Sequence, residues 1–215
     1  MSFGPAFDPF AQRLKAFGAS LGARAIQPGD ELAFVDPALE STPENLARRR
    51  ASGAARVLAA ELLRQLGLRD APTVARGPGG APIWPAGFIG SIAHDHTLAV
   101  VALAPRGGAV AALGIDIEPA EPLPGDLADL VLTKSERRAF AGDPLAGRAA
   151  FAAKEAVYKA INPLEGLPLE YDDIVCDRDL REAALRDGRR LSLVTATSPR
   201  ILAAAFLASA RGRTI

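Results

Sequence analysis

Gly114-Ile115-Asp116-Ile117-Glu118 alternates small or acidic residues with β-branched apolar ones. Side chains alternate along a strand, so Asp116 and Glu118 share one face while Ile115 and Ile117 share the other. A Pro-rich break follows at residues 119–124, so the two carboxylates sit at a strand end. Two carboxylates in that position suit a hard cation, which takes oxygen ligands and completes its shell with water or phosphate. The plainer reading of the five residues is an amphipathic strand with a solvated acidic face.

Working outward, apolar runs at residues 89–93, 98–103 and 111–117 read as strands, with a turn at 106–109. Residues 43–67 read as a helix with Thr42 as cap, Pro43 in its first turn and Gly67 past its end. The intervening residues 71–90 are rich in Pro and Gly and hold the chain's one tryptophan, Trp84. After the break at 119–124, a short helix at 133–141 is capped by Thr133 or Ser135. A longer helix at 148–161 stops at Asn162-Pro163, and strands at 169–176, 190–197 and 201–208 close the chain. The order of helix, strands, helices and strands predicts an α+β fold in two lobes, residues 1–110 and 111–215, with a seam near 107–113.

Composition narrows the function classes. With 49% hydrophobic and 23% charged residues the chain is globular rather than disordered. Twenty-five basic side chains balance twenty-five acidic ones, which argues against a broad nucleic-acid surface but leaves room for a local basic patch. Cys176 is the only cysteine, so no internal disulfide forms, consistent with a cytoplasmic protein. Residues 1–10 show no signal-peptide pattern, and the apolar runs are far shorter than the ~20 residues of a membrane span.

Three further segments carry chemistry. In the 148–161 helix, Glu155 and Lys159 are four residues apart and share a face. They read either as a surface ion pair of ~0.3–0.5 kcal/mol or as a third carboxylate and an ammonium beside a phosphate. His94 ends the Gly-rich approach Gly90-Ser91-Ile92-Ala93-His94 and suits a phosphate oxygen or a structural role. With His96 it would make a weak transition-metal pair. Arg48, Arg49, Arg50 and Arg56 make the first helix basic. Arg48 and Arg56, two turns apart, suit bidentate phosphate contacts or a solvated face.

Taken jointly, Arg76-Gly77-x2-Gly80-x-Pro82-x-Trp84-Pro85-x-Gly87-x2-Gly90-Ser91-Ile92-Ala93-His94, then Gly114-Ile115-Asp116-Ile117-Glu118, then Phe151-x2-Lys154-Glu155-Ala156-x-Tyr158-Lys159-Ala160-x2-Pro163-Leu164 resembles the 4′-phosphopantetheinyl transferase superfamily. The resemblance runs from about residue 48 to 173 and is nearest to the enterobactin-synthetase type, which activates non-ribosomal peptide synthetases of siderophore biosynthesis. It implies two similar, pseudo-symmetric α+β lobes with coenzyme A in the cleft between them. It also implies transfer of the phosphopantetheine arm to a serine of an apo acyl, peptidyl or aryl carrier protein.

By the same resemblance Asp116, Glu118 and Glu155 would hold Mg2+, with the Ile117 carbonyl nearby and Glu155 also serving as base. Lys159 and Lys154 would neutralise the CoA phosphates, and His94 and the main chain at Ala93 would hold one of them. Arg48 and Arg56, with Arg76, Gly77, Pro78 and Gly79, would take the nucleotide end. Two departures stand out: Ala93 replaces a frequent Ser or Thr, and Gly79 or Ala81 stands where a Lys is frequent. Phe140 and residues 130–138 are candidates for carrier docking, and a two-lobed member is expected to act as a monomer. The same carboxylates would also serve a Mg2+-dependent nucleotide or CoA pyrophosphohydrolase, and an inactive CoA- or carrier-binding module is the non-enzymatic alternative.

Overall fold

Gly114 has no side chain, and a long helix lies directly on it. A Cβ at this position would stand 1.9 Å from the Ala156 carbonyl oxygen. The strand is β6 (Val110–Glu118) and the helix is α5 (Ala146–Glu165). A computed structural model describes residues 7–36, 38–166 and 169–210 of the chain.

β6 is the edge of a five-stranded antiparallel sheet ordered β6-β10-β9-β8-β7, where β7 is Ile174–Cys176, β8 Glu182–Leu185, β9 Arg190–Ala196 and β10 Ile201–Ala208. A three-stranded antiparallel sheet is ordered β1-β5-β4, from β1 (Ser20–Ala25), β5 (Leu98–Pro105) and β4 (Phe88–His94). β4 runs beside β6, and the Ile115 N–H donates across to Ser91 Oγ at 3.1 Å. A small hairpin, β2 (Ala75–Arg76) with β3 (Pro82–Ile83), leads into β4.

Each sheet carries one 20-residue helix. α2 (Leu46–Gln65) packs Leu58, Leu62 and Leu63 on Val101 and Leu103 of β5. α5 packs Ala149, Ala153, Ala156 and Val157 over Leu191, Ala203 and Ala205. The faces turned away from these helices share one apolar cluster, in which Leu113, Ile115 and Ile117 of β6 meet Ile89, Val100 and Leu202. Phe10 and Leu14 of α1 (Asp8–Lys15) close that cluster. Alternation along β6 therefore decides two things at once: odd residues enter the shared core, and Gly114, Asp116 and Glu118 face α5.

The α+β class read from the sequence is correct. The likeness between the two helix-on-sheet units is partial, since one sheet has three strands and the other five. Several element boundaries differ from the sequence reading. Thr42 makes no capping hydrogen bond; a 3-10 turn at Pro43–Asn45 leads into α2 instead. α5 does not stop at Pro163 but runs to Glu165, because proline removes only one hydrogen bond near the end and Gly166, at φ 67°, closes it by donating its N–H to Asn162 O. The strand expected at 169–176 is only Ile174–Cys176, since Tyr171–Asp173 forms a 3-10 turn. α1, β1, α3 (Gly125–Val131) and β8 were absent from that reading. Thr133 does cap α4 (Lys134–Phe140), in a capping box with Glu136.

Gly114→Ala is expected to cost about 1–3 kcal/mol or more of unfolding free energy, the range for an overpacked core. Urea unfolding reads it; an unchanged midpoint would contradict the close approach of α5 to β6.

Candidate active site

The Gly114 contact lays one face of α5 along the acidic face of β6. Arg148, Glu155 and Lys159 recur on that helix face at offsets of seven and four residues. Asp116 is 6% exposed, and its Oδ1 accepts from Lys159 Nζ at 2.6 Å. Its Oδ2 is buried and has no hydrogen-bond partner among the described residues. Glu118 Oε2 accepts from Arg148 Nη1 at 3.0 Å, and Arg148 also donates to the Glu121 and Pro122 carbonyls of the Pro-rich break. Glu155 Oε1 accepts from the Tyr171 hydroxyl at 2.6 Å.

Of the two readings of Glu155 and Lys159, the ion pair is not made; each side chain reaches off the helix to a different partner. Nor do three His, Cys, Asp or Glu side chains among the described residues form a ready-made metal cluster. Each carboxylate is instead turned to its own donor.

Electrostatics shows what that arrangement leaves unmet. Burial pushes the Asp116 carboxyl above its ordinary pKa, only partly opposed by Lys159, and nearby Glu155 adds to the rise. Burial, and then Asp116, raise Glu118 against the pull of Arg148. Three carboxylates face two cations, so one negative charge in the cluster lacks a cationic partner. Glu118 and Glu155, like Asp116, each keep one oxygen without a hydrogen bond among the described residues. An all-oxygen donor set with a buried, unpartnered carboxylate oxygen fits a hard divalent cation.

Beside this cluster lies a cavity of about 500 Å³. Its walls come from residues 79–84, from β4 and β6, and from α5, where Glu155, Tyr158, Lys159 and Asn162 line it. Trp84 forms part of the wall and donates its indole N–H to Gly90 O at 2.8 Å. Gly79 also lines the cavity, at φ 65° in the turn Pro78–Gly80.

The remaining predicted residues divide by location. His94 ends β4 in an exposed position, and desolvation, followed by Lys159 and Arg56, lowers its pKa, so the ring is neutral near pH 7. His96 is exposed and joins no metal cluster among the described residues. Arg48 is exposed on α2, whereas Arg56, two turns later, is buried with its guanidinium 4.6 Å from the Phe34 ring centroid. Arg76 donates to Asp36 Oδ2 at 3.2 Å, as does Ser52 Oγ, and the Gly77–Gly80 loop folds over the Arg76 guanidinium. Ile117 places its side chain in the shared core.

Two expectations need correction, and a third is narrowed. Lys154 does not face a phosphate cleft. It is fully buried and donates to Glu136 Oε2 at 2.8 Å, Val131 O at 2.9 Å and Tyr171 O at 3.0 Å. At Ala93 the side chain points into the apolar cluster with Ile115 and Ile117, so a hydroxyl there would meet hydrocarbon; this bears on the side chain and not on the main-chain role expected of Ala93. Phe140 is 5% exposed and packs in the core under α5, which excludes it from a docking surface. The sequence reading also passed over Arg148, Tyr171 and Asp36, which hold Glu118, Glu155 and Arg76. Arg148 was legible as a third basic or acidic residue on the Glu155 face; the other two carry no local signal.

Two family models match the chain: 4′-phosphopantetheinyl transferase N-terminal domain over residues 40–104, and 4′-phosphopantetheinyl transferase superfamily over residues 112–201. The chain belongs to the 4′-phosphopantetheinyl transferase superfamily. It is 42% identical over 124 residues to 4′-phosphopantetheinyl transferase Svp of Streptomyces mobaraensis, covering 55% of this chain and 50% of the relative. It is 38% identical over 117 residues to 4′-phosphopantetheinyl transferase PptT of Mycobacterium tuberculosis, covering 52% and 50%. Enterobactin synthase component D of Salmonella typhimurium is 35% identical over 121 residues, covering 54% and 49%. These matches span about half the length of each relative. Within this superfamily member, the segment matched by the second family model contains Asp116, Glu118, Arg148, Glu155, Lys159 and Tyr171.

Two stability predictions follow from the buried charges. Lys154→Met leaves Glu136 buried without its cation and is expected to cost about 3–5 kcal/mol in urea unfolding; a loss of phosphate-ligand affinity with stability intact would contradict the burial. Asp36 is pushed up by burial, but the Ala38 N–H, Arg76, Ser52 and Arg56 together hold its carboxyl below its ordinary pKa. A carboxyl lowered in the folded state stabilises above the unfolded value, and that stability is lost as pH falls through the folded value. Asp36→Asn should therefore be less stable at neutral pH and show a shallower stability loss below about pH 4; a parallel pH profile would contradict this.

Proposed function

We propose that this chain is a 4′-phosphopantetheinyl transferase that moves the phosphopantetheine of coenzyme A to a serine of an apo carrier protein, releasing 3′,5′-ADP. The observation that carries the reading is the convergence of β6 and α5. It sets Asp116, with one unpartnered buried oxygen, against Lys159, which lines a cavity together with Glu155, while Glu118 shares the Asp116 face of β6. Family membership and relatives named as such transferases support it.

Each part of the substrate meets a matching environment. The cavity of about 500 Å³ has Trp84, Ile83 and Leu164 among its apolar walls, with Ser91 and Asn162 as polar groups, and suits the uncharged, amide-containing pantetheine arm. Lys159 stands between that cavity and Asp116, where its ammonium meets the diphosphate. His94, neutral near pH 7, donates a ring N–H to a phosphate oxygen, and a bound anion offsets the desolvation that lowers its pKa. Arg48 and Arg76, with the Gly77–Pro78–Gly79 backbone, take the nucleotide and its 3′-phosphate. Arg56 acts from behind them, through the field it shares with Asp36 and His94.

In the reaction the serine oxygen forms a bond to the phosphorus that carries pantetheine, and the bond from that phosphorus to the bridging oxygen breaks. Glu155 takes the serine proton, directly or through water. Lys159 offsets the charge that moves onto the leaving phosphate. Asp116, Glu118 and Glu155, with the Ile117 carbonyl, would hold Mg2+, which supplies further charge neutralisation on the diphosphate. Arg148 steadies Glu118, and the Ser91 bridge keeps β4, with His94, beside β6.

Both sides of the cavity come from one copy of the chain, which supports a monomeric enzyme, and the reading places it in the cytoplasm, where coenzyme A and carrier proteins meet. The acceptors are acyl, peptidyl or aryl carriers. The likeness to the enterobactin synthase components points to the non-ribosomal peptide carriers of siderophore synthesis first.

Glu155→Gln is expected to lower carrier labelling by about 100- to 10,000-fold, the range for a lost general base, with CoA affinity changed much less. Intact-mass measurement of an apo carrier incubated with CoA and Mg2+ reads it. Full labelling by the variant would remove Glu155 from the reaction; CoA cleavage without labelling by the wild type would mark a hydrolase.

A further inference from the structure

Tyr171 has no part in the proposed reaction beyond its contact with Glu155, yet three of its parts are held. It begins the 3-10 turn Tyr171–Asp173. Two adjacent residues of α5 grip its opposite ends: Lys154 Nζ donates to its backbone carbonyl at 3.0 Å, and its hydroxyl donates to Glu155 Oε1 at 2.6 Å. Phe151, one helical turn before Glu155, lies against the ring with centroids 6.2 Å apart. Lys154 is in turn fixed by Glu136 and the Val131 carbonyl, and Glu136 Oε1 accepts the Cys176 N–H at 2.8 Å. A fully buried ion pair thus joins the end of α3, the start of α4 and β7 to the residue that contacts Glu155.

We propose that Tyr171 is the positioning residue for Glu155. Its hydroxyl occupies Oε1 and leaves Oε2 as the oxygen that receives a proton or a cation. The inference rests on the reading of Glu155 as base or ion ligand. Physically, a glutamate on a helix surface samples several rotamers, and an O–H···O⁻ bond of this length selects one. Groups that orient a ligand or base typically contribute 10- to 100-fold in affinity or rate. The account also gives the Lys154-Glu155 pair a joint purpose: the lysine sets where the tyrosine stands, and the tyrosine sets how the glutamate points.

Tyr171→Phe removes one oxygen and keeps the ring against Phe151. Its kcat for carrier labelling is expected to fall about 10- to 100-fold, with KM for CoA within about twofold. Mg2+ affinity of the CoA complex, measured by calorimetry, is expected to weaken over a similar range. In a Glu155→Gln background the same change is expected to have no further effect on ion affinity, because the tyrosine acts through Glu155. A Tyr171→Phe enzyme with kcat and ion affinity within twofold of wild type, beside an inactive Glu155→Gln, overturns the inference and leaves the proposed function standing. An equal loss of ion affinity in both backgrounds, with a lowered melting midpoint, marks the hydroxyl as purely structural and also overturns it. A fully active Glu155→Gln overturns the underlying reading of the site itself.

Discussion

Helix α5 touches strand β6 backbone to backbone at Gly114, and the arrangement of the site follows from that contact. Any Cβ at position 114 would overlap the Ala156 carbonyl, so the helix can settle on the strand only where the side chain is absent. The neighbours Ile115 and Ile117 hold the other face of the strand in the shared core. With the strand anchored on one side and the helix seated on the other, Asp116 is buried and Glu118 is half-buried. They emerge beside Glu155 and Lys159, groups about forty residues away in sequence.

That confinement carries an electrostatic cost. A carboxylate taken from water loses several kcal/mol of hydration unless something replaces it. Lys159 and Arg148 replace part of it for Asp116 and Glu118, and the Tyr171 hydroxyl serves Glu155. The raised carboxyls of Asp116 and Glu118 show that the replacement is incomplete. A site that holds excess negative charge in a buried position is prepared for a cation, and then for the phosphates that a cation attracts. The Lys154–Glu136 pair shows the contrasting case: its ions satisfy each other and the surrounding backbone, and it has no opening to a ligand.

The α+β class, the strand pattern around β6 and the acidic face were legible in the sequence because they depend on period-two alternation and on Gly and Pro positions. The Glu155 and Lys159 face was legible from helical spacing. Their partners were not, because spacing says which side of a helix a group occupies but not what lies opposite. Lys159 was read beside Glu155 and is found on Asp116, which only the packing of α5 on β6 decides. Lys154 shows the same limit: it neighbours Glu155 in sequence but sits about 100° around the helix, in the core. Phe140 was misplaced for the equivalent reason, since an aromatic side chain does not reveal which face is covered. Tyr171, in a 3-10 turn where an extended strand was expected, reaches Glu155 through tertiary packing alone.

The central claim is that Asp116, Glu118 and Glu155 form one oxygen-lined cation site facing the diphosphate of CoA. Anomalous diffraction from a crystal grown with CoA and Mn2+ tests it most directly. The account predicts one strong metal peak bounded by these carboxylates and the diphosphate, with the Lys159 ammonium shifted from Asp116 onto a phosphate oxygen. A peak elsewhere, or CoA bound with Lys159 still on Asp116 and no metal between the acids, would contradict it.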